Sequence, residues 1–320
     1  MRGRRGDRHA DPTGSQCLSP QPLVALIDLG SNSIRLAIYT IDPAGKYEEI
    51  KKAKVSARLM EYLSRDRHLN KEGIELILNT LKQFQQVVDS LNVSEVIGFA
   101  TAAIRKAVNK EEIISVIKMN TSYSFRILSE YEEAYYGYMG VIDTITMKDG
   151  IIVDIGGGST EVTLFHDRKM VEYHSFPFGA VSLNAEFTST NQECGIQLDK
   201  LRSFLSSSFQ SVPWLRDAKH PIIGIGGTAR NIGKIYQAKH PSKQPKMKQE
   251  EIQSIARDLS LLSLNERTKI AGLSKKRKDI ILPGIEAIAA LTETVQAPYF
   301  MFSKRTIRDG ILVSREDSDE

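Results

Sequence analysis

The sequence predicts an α/β protein built from two similar lobes, and three observations carry that prediction. The segment VALIDLGSNSIRLAIY (24–39) returns as IIVDIGGGSTEVTLF (151–165). Around each copy, strand-like and helix-like patterns alternate in a similar order, as in an α/β lobe. A length of 320 residues suits roughly two domains.

Each copy reads as a buried strand, a turn of small residues and a second strand. Asp28 aligns with Asp154, Gly30 with Gly156 and Ser33 with Ser159. Strands are predicted at 23–29, 34–41 and 47–57. A helix over 70–91 follows, with Ile74, Ile77, Leu78, Leu81, Phe84, Val88 and Leu91 on one stripe that reads as core packing. Next come a strand at 94–100, a helix at 110–119, a strand at 124–128 and a helix at 130–142. The second half begins with a strand at 150–154, and its hairpin continues through 161–176. Helices are predicted near 180–187 and 196–209, then a strand at 221–225 running into GIGGTARN and a helix. Helices near 248–262, 264–270 and 278–294, a strand at 298–302 and a helix near 306–315 complete the chain. HPSKQPKMKQ (240–249) reads as a polar loop, and SKKRK (274–278) as a solvated helix start.

Composition narrows the function classes. Apolar content of 41% and charged content of 26% suit a globular protein. A net charge of +4 gives no whole-protein field for nucleic acid, so any anion site must be local. Cys17 and Cys194 lack CxxC partners, and the scattered histidines form no HExxH. Disulfide scaffolds and zinc chemistry are not expected, and a reducing cytoplasm fits. No apolar run is long enough to span a membrane. Residues 1–20 are basic without an apolar core and are expected to be a disordered tail rather than a secretory signal.

The repeat points to phosphate chemistry. Asp28 and Asp154 each end a strand, where a carboxylate can hold Mg²⁺ or Mn²⁺ directly or through water. A turn-starting Asp bonded to its own backbone is the plainer reading. The turns that follow, Ser31-Asn32-Ser33 and Gly156-Gly157-Gly158-Ser159-Thr160, have little bulk, so backbone N–H groups can face an anion. Where the first copy has Arg35, the second has Glu161. Arg35 is a candidate phosphate ligand and Glu161 a candidate for orienting metal or water; a cross-cleft ion pair between them is the alternative. In GIGGTARN, Gly224, Gly226 and Ala229 mimic a dinucleotide turn. The acid expected about twenty residues later falls in a Lys/Gln-rich loop. Gly226, Gly227 and Thr228 are instead candidate contacts for a more distal phosphate or a guanine nucleotide, with Arg230 and Lys234 as distal candidates.

Five motifs in this order, DLGSNS, TAAIRKAVN, SEYEEAYYGYMG, DIGGGSTE and GIGGTARN, resemble the exopolyphosphatase/guanosine pentaphosphate phosphatase family over about residues 23–315. The resemblance implies two ribonuclease-H-like lobes of the actin/sugar-kinase/Hsp70 superfamily with a cleft between them. It places an N-terminal lobe at 21–130, completed by 304–320, and a C-terminal lobe at 131–303. It implies that Glu133 is the catalytic base, assisted by Glu161, and that Arg105 contacts substrate phosphate. It implies Asp28, Asp154 and Glu161 as metal ligands. A plain acid at a helix start is the alternative for Glu133. After EEA the family commonly has Arg-Leu; here Tyr135-Tyr136 follow. Many members continue into a helical region of HD-phosphohydrolase type, and this chain is expected to be the short form, or the catalytic half of a longer one, with an absent or shorter polymer channel. The implied substrate is inorganic polyphosphate, with guanosine pentaphosphate or tetraphosphate as the nearest alternative; a superfamily kinase and a non-catalytic sensor are more distant ones. Neither nucleic acid nor membrane is an expected partner, and a homodimer is compatible with the sequence.

Overall fold

The computed structural model describes residues 22–188, 196–241 and 246–316. The expected tail at 1–20, Cys17, Cys194 and part of the 240–249 loop therefore lie outside the described residues.

The first sheet comprises β1 (Leu23–Leu29), β2 (Ile34–Ile41), β3 (Tyr47–Val55), β4 (Glu95–Ala100) and β5 (Phe125–Ile127). The second comprises β6 (Gly150–Ile155), β7 (Thr160–His166), β8 (Lys169–Phe176), β9 (Ile222–Ile225) and β10 (Phe300–Phe302). Their orders, β3-β2-β1-β4-β5 and β8-β7-β6-β9-β10, are the same topology used twice. In each, a three-strand antiparallel meander is extended by parallel strands. The two copies of the repeat therefore occupy equivalent central hairpins.

The helices of the first half are α1 (Lys71–Ser90), α2 (Ala102–Lys106), α3 (Lys110–Asn120) and α4 (Glu130–Ile142). The later ones are α5 (Ala180–Phe187), α6 (Leu198–Gln210), α7 (Gly226–Lys239), α8 (Gln249–Ser260), α9 (Leu264–Arg267), α10 (Ile281–Val295) and α11 (Ile307–Glu316). α1 starts where the Asn70 side chain accepts from the Gly73 N–H at 2.9 Å. Its stripe then buries Ile77, Leu81, Phe84 and Val88. Each such side chain contributes about 1.5–3 kcal/mol when fully buried. Among the described residues, no helix is long and apolar enough to cross a membrane.

Strand alternation decides which charges reach the cleft. Ala25, Ile27 and Leu29 pack toward α1, α2 and α3, whereas Val24 and Leu26 pack with Ile311 and Leu312 of α11. Asp28 shares that second face. In β6, Ile151, Val153 and Ile155 face α5, α6, α7 and α10, while Ile152 packs with Tyr138, Val141 and Ile142 of α4. Asp154 shares the α4 face. Both sheets are buried on both sides, which is why their central strands read as continuous apolar runs.

α11 packs back on the first sheet, as the family resemblance implied, and crosses α4, which covers the second. The crossing is close because both helices carry glycine there. A Cβ at Gly140 would lie 2.6 Å from the Thr306 carbonyl, and one at Gly310 would strike the Tyr136 backbone. Several predicted elements are shorter than expected. β3 stops at Val55, β5 spans only Phe125–Ile127 and α9 only Leu264–Arg267, while the short α2 was not anticipated. The helix expected from 278 begins at Ile281, because Lys275–Arg277 form a 3-10 turn. Gly310→Val is expected to destabilise the protein by about 1–3 kcal/mol through overpacking. Urea unfolding read by circular dichroism checks this.

Candidate active site

One cleft between the lobes collects most of the predicted site residues. Its walls include Asp28, Ser31, Asn32, Ser33, Arg35, Glu133, Asp154, Gly156, Gly157, Ser159, Glu161, Gly226 and Gly227. The hairpin register places Arg35 opposite Asp28, and Glu161 opposite Asp154. The aligned positions of the repeat thus become equivalent points on the two lobes.

The two aspartates have different surroundings. Arg35 Nη1 and Arg308 Nη1 each lie 3.8 Å from Asp28 Oδ2, and Arg35 Nε donates to Ser33 Oγ at 2.9 Å. Asp28 is thereby committed to two guanidinium groups. A metal role for Asp28 would have to be shared with these two cations. Burial still raises its pKa. Arg35 pairs here with Asp28, so the cross-lobe pair with Glu161 is not what forms. At Asp154, burial raises the pKa, with Asp28 adding to it and Arg35, Arg277 and Arg230 opposing. Gly226 sits against this carboxylate with φ +75°, where a Cβ would overlap Asp154 Oδ1. Both space and backbone conformation require glycine there.

The EEA motif divides its two acids between structure and cleft. Glu132 caps α4: Ser129 N–H donates to Glu132 Oε2 at 2.7 Å, and Arg126 pairs with the same carboxylate at 3.0 Å. Glu133 turns inward and is only 4% exposed. Burial, then Glu161, pushes its pKa well above the usual carboxylate range. Glu161 is pushed to about 7, first by burial and then by Asp154, while hydrogen bonds from Ser159 and Ser175 oppose the shift. The Ser175 bond is 3.1 Å long.

Other predicted residues do something different from the expectation. Arg105 binds Glu133 and donates to the Leu128 carbonyl at 2.9 Å, so it holds the acid in place instead of facing the cleft. Its Nη2 is buried without a partner. Thr160 Oγ1 donates to the Phe178 carbonyl, and Thr228 Oγ1 to the Ile155 carbonyl at 2.9 Å; both threonines are fully buried behind the loops. Gly157 and Gly158 are small because the first lobe lies against them. A Cβ on Gly157 would meet Ser31 Cβ at 2.9 Å, and one on Gly158 would meet Met60 Sδ at 2.7 Å. Lys234 is exposed on α7 and does not line the cleft. Tyr136 accepts a hydrogen bond from Arg126, and Tyr135 stacks on Tyr131; neither is a cleft wall.

The sequence reading named Arg35 and Arg230 but missed the other cations of the cleft and its adjoining groove, Lys52, Lys54, Arg277 and Arg308. Arg277, assigned to a solvated run, is 7% exposed. Its Nη1 donates to Thr228 Oγ1 at 3.3 Å. Its pKa is lowered to about 10 by burial and then by Arg35. The apolar IILPGI that follows SKKRK was the available signal that this run reaches the core. Arg308 opens the helix that packs back on the first lobe, which was its signal. Beyond the carboxylates, the cleft continues as a groove bordered by Arg35, Lys52, Lys54, Arg230, Arg277 and Arg308, with no carboxylate among its described walls. Lys54 is lowered to about 8, first by burial and then by Arg35. Arg230 Nε and Arg308 Nε are buried without partners.

The metal expectation can be weighed on this donor set. Among the described residues, no three acids or histidines converge as a ready ligand cage. Asp154 and Glu161 are nonetheless adjacent buried carboxylates, and Asp154 raises the proton affinity of Glu161. Magnesium needs only one or two carboxylates and keeps several waters or phosphate oxygens. The pair fits such an ion.

A two-lobed fold that uses one sheet topology twice, with facing small-residue turns at the cleft, defines a member of the actin-like superfamily. The Ppx/GppA phosphatase family matches residues 37–319, and the chain belongs to that family. A bifunctional 3-dehydroquinate synthase/phosphatase of Fusobacterium nucleatum is 28% identical over 92% of this chain, which spans only 45% of that protein. Exopolyphosphatase 1 of Mycobacterium leprae is 22% identical, covering 92% of this chain and 90% of its own. The crystal structure of the Aquifex aeolicus family member superposes with a TM-score of 0.77 at 26% identity, covering 94% of this chain and 99% of that one.

A raised carboxylate pKa makes a stability prediction. Between the unfolded value of 4.5 and about 7, the folded state holds a proton on Glu161 that the unfolded state has lost. Stability from this group is therefore present below that window and lost as pH rises through it. In chelator, the thermal midpoint is expected to fall between pH 5 and 8. Glu161→Gln should remove much of that slope and stabilise the protein at pH 8 by about 1–3 kcal/mol.

Proposed function

We propose that this chain is an exopolyphosphatase, hydrolysing the terminal phosphoanhydride of inorganic polyphosphate to release orthophosphate. The observation that carries the reading is the polarity of the cleft. Buried acids Glu133, Asp154 and Glu161 line it, and a groove with six cationic side chains adjoins it through Arg35, Gly226, Gly227, Arg277 and Arg308, which border both. A chain of phosphates fits that gradient, with its last phosphoryl group at the acids and the rest neutralised along the groove. Charged walls with Leu36 and Ala53 as the apolar ones suit phosphates better than a flat guanine. Polyphosphate is therefore preferred over guanosine pentaphosphate.

In this reading Glu133 takes a proton from a water as that water attacks the terminal phosphorus. The bond to the bridging oxygen breaks, orthophosphate leaves, and the shortened chain stays on the groove. A raised proton affinity suits a base working near neutrality. Arg105 orients Glu133 through their ion pair. Backbone N–H groups of the Ser31–Ser33 and Gly156–Ser159 turns, with Arg35 and Arg277, bind phosphoryl oxygens. Asp154 and Glu161 would hold Mg²⁺ or Mn²⁺, which supplies charge neutralisation at the transferring group.

Phosphate release from long polyphosphate, short polyphosphate, guanosine pentaphosphate and ATP, with and without Mg²⁺, tests this. Polyphosphate should be turned over fastest, and chelator should abolish turnover. Guanosine pentaphosphate as the fastest substrate would overturn the substrate reading. Glu133→Gln is expected to lower kcat about 10²–10⁴-fold while polyphosphate binding persists. A variant keeping a large share of wild-type kcat removes Glu133 from the role. Groove binding by charge should also make KM rise with ionic strength.

A further inference from the structure

Two first-lobe cations reach across the cleft without lining it. Lys106, the last residue of α2, places Nζ 2.5 Å from the Gly158 carbonyl and 3.0 Å from the Pro177 carbonyl. Arg58 follows β3 and adopts the left-handed region at φ 48°, where its N–H donates to the Asn32 carbonyl at 3.2 Å. Its side chain forks onto Asp279 of the second lobe, with Nη1 at 2.6 Å from Oδ2 and Nη2 at 2.9 Å from Oδ1. Arg58 Nη2 also lies 3.5 Å from the Lys276 carbonyl.

What these cations hold is the point. The Gly158 carbonyl belongs to the second lobe's anion turn. In a trans peptide the C=O and the next N–H point to opposite sides. Fixing that carbonyl on Lys106 therefore fixes the direction of the Ser159 N–H, in a turn that lines the cleft. Lys276 and Asp279 bracket Arg277. From its own lobe this segment is tied by the Ser274 N–H to Asn231 Oδ1 at 2.8 Å and by Arg267 to the Lys278 carbonyl at 3.3 Å. Arg58 adds the tie from the first lobe, and its backbone is bonded to the first lobe's own anion turn.

We propose that Lys106 and Arg58 are positioning residues: cross-lobe clasps that fix the glycine turn and Arg277 of the second lobe in the closed cleft. The assignment rests on the reading of those two elements as substrate ligands. Neither clasp touches substrate. Each acts through a group that does, and each exists only while the lobes are closed.

The experiment compares Lys106→Met, Lys106→Arg, Arg58→Ala and the charge swap Arg58→Asp with Asp279→Arg, all in the full chain. Lys106→Met is expected to lower kcat about 10–100-fold through misplaced donors, with Lys106→Arg recovering most of the loss. Arg58→Ala should chiefly raise KM for polyphosphate, and the charge swap should lower it again. Small-angle X-ray scattering of the ligand-free protein should show Lys106→Met and Arg58→Ala expanded relative to wild type. Wild-type kinetics and an unchanged scattering curve in both variants would overturn the proposal. So would losses that neither Lys106→Arg nor the swap repairs, since those report a folding role. If the wild type releases no phosphate from polyphosphate, the functional reading falls, while scattering and tripolyphosphate binding still decide the clasps.

Discussion

Three acids share one water-poor cleft, and the surrounding structure is organised by the cost of keeping them there. Glu133, Asp154 and Glu161 are each desolvated; Asp154 raises the proton affinity of Glu161, and both raise that of Glu133. Such a cluster persists only where the fold fixes it and supplies counter-charge. Arg105 supplies it for Glu133, Ser159 and Ser175 provide hydrogen bonds for Glu161, and more distant guanidinium groups act on Asp154. What remains uncompensated is a surplus of negative charge, which under the proposed function would draw a cation and hold a water near a base.

The duplication shows how one topology carries two electrostatic roles. Both hairpins set a strand-end aspartate opposite a charged residue, at Asp28–Arg35 and Asp154–Glu161. In the first lobe the opposite charge, reinforced by Arg308, neutralises the aspartate. In the second the like charge leaves the pair repelling. A single difference at equivalent positions thus gives one hairpin a paired charge and the other a like-charge pair. α4 and α11 complete the division, since α4 brings Glu133 to the second aspartate and α11 brings Arg308 to the first. Their crossing at Gly140 and Gly310 couples the two lobes at the same place.

The cationic groove comes from parts of the chain with no sequence relation to one another. β2 and β3 contribute Arg35, Lys52 and Lys54, α7 contributes Arg230, the turn before α10 contributes Arg277, and α11 contributes Arg308. Burial, and then their mutual repulsion, lowers the proton affinity of Lys54 and Arg277. A polyanion relieves that repulsion, so the same like-charge strain appears in the cleft and in its groove with opposite sign.

The hairpins and the α1 stripe were legible in the sequence, because apolar periodicity reports which side of an element leaves water, whereas the return of the last helix came only from the family resemblance. So were the small-residue turns, since their lack of bulk is written directly in the residues. Glu133 was legible only through the family resemblance; nothing local separates it from Glu132 until the capping box takes the one and leaves the other. The tertiary structure alone decided that Arg277 is buried, that Arg105 holds an acid, and that Asp28 belongs to two arginines. It also turned Thr160 and Thr228 toward carbonyls and gave Gly157 and Gly158 to the lobe contact. The physical reason is that a charge's role is set by what it meets after burial. Those encounters join residues up to hundreds of positions apart, as with Arg308 and Asp28, and no local pattern encodes them.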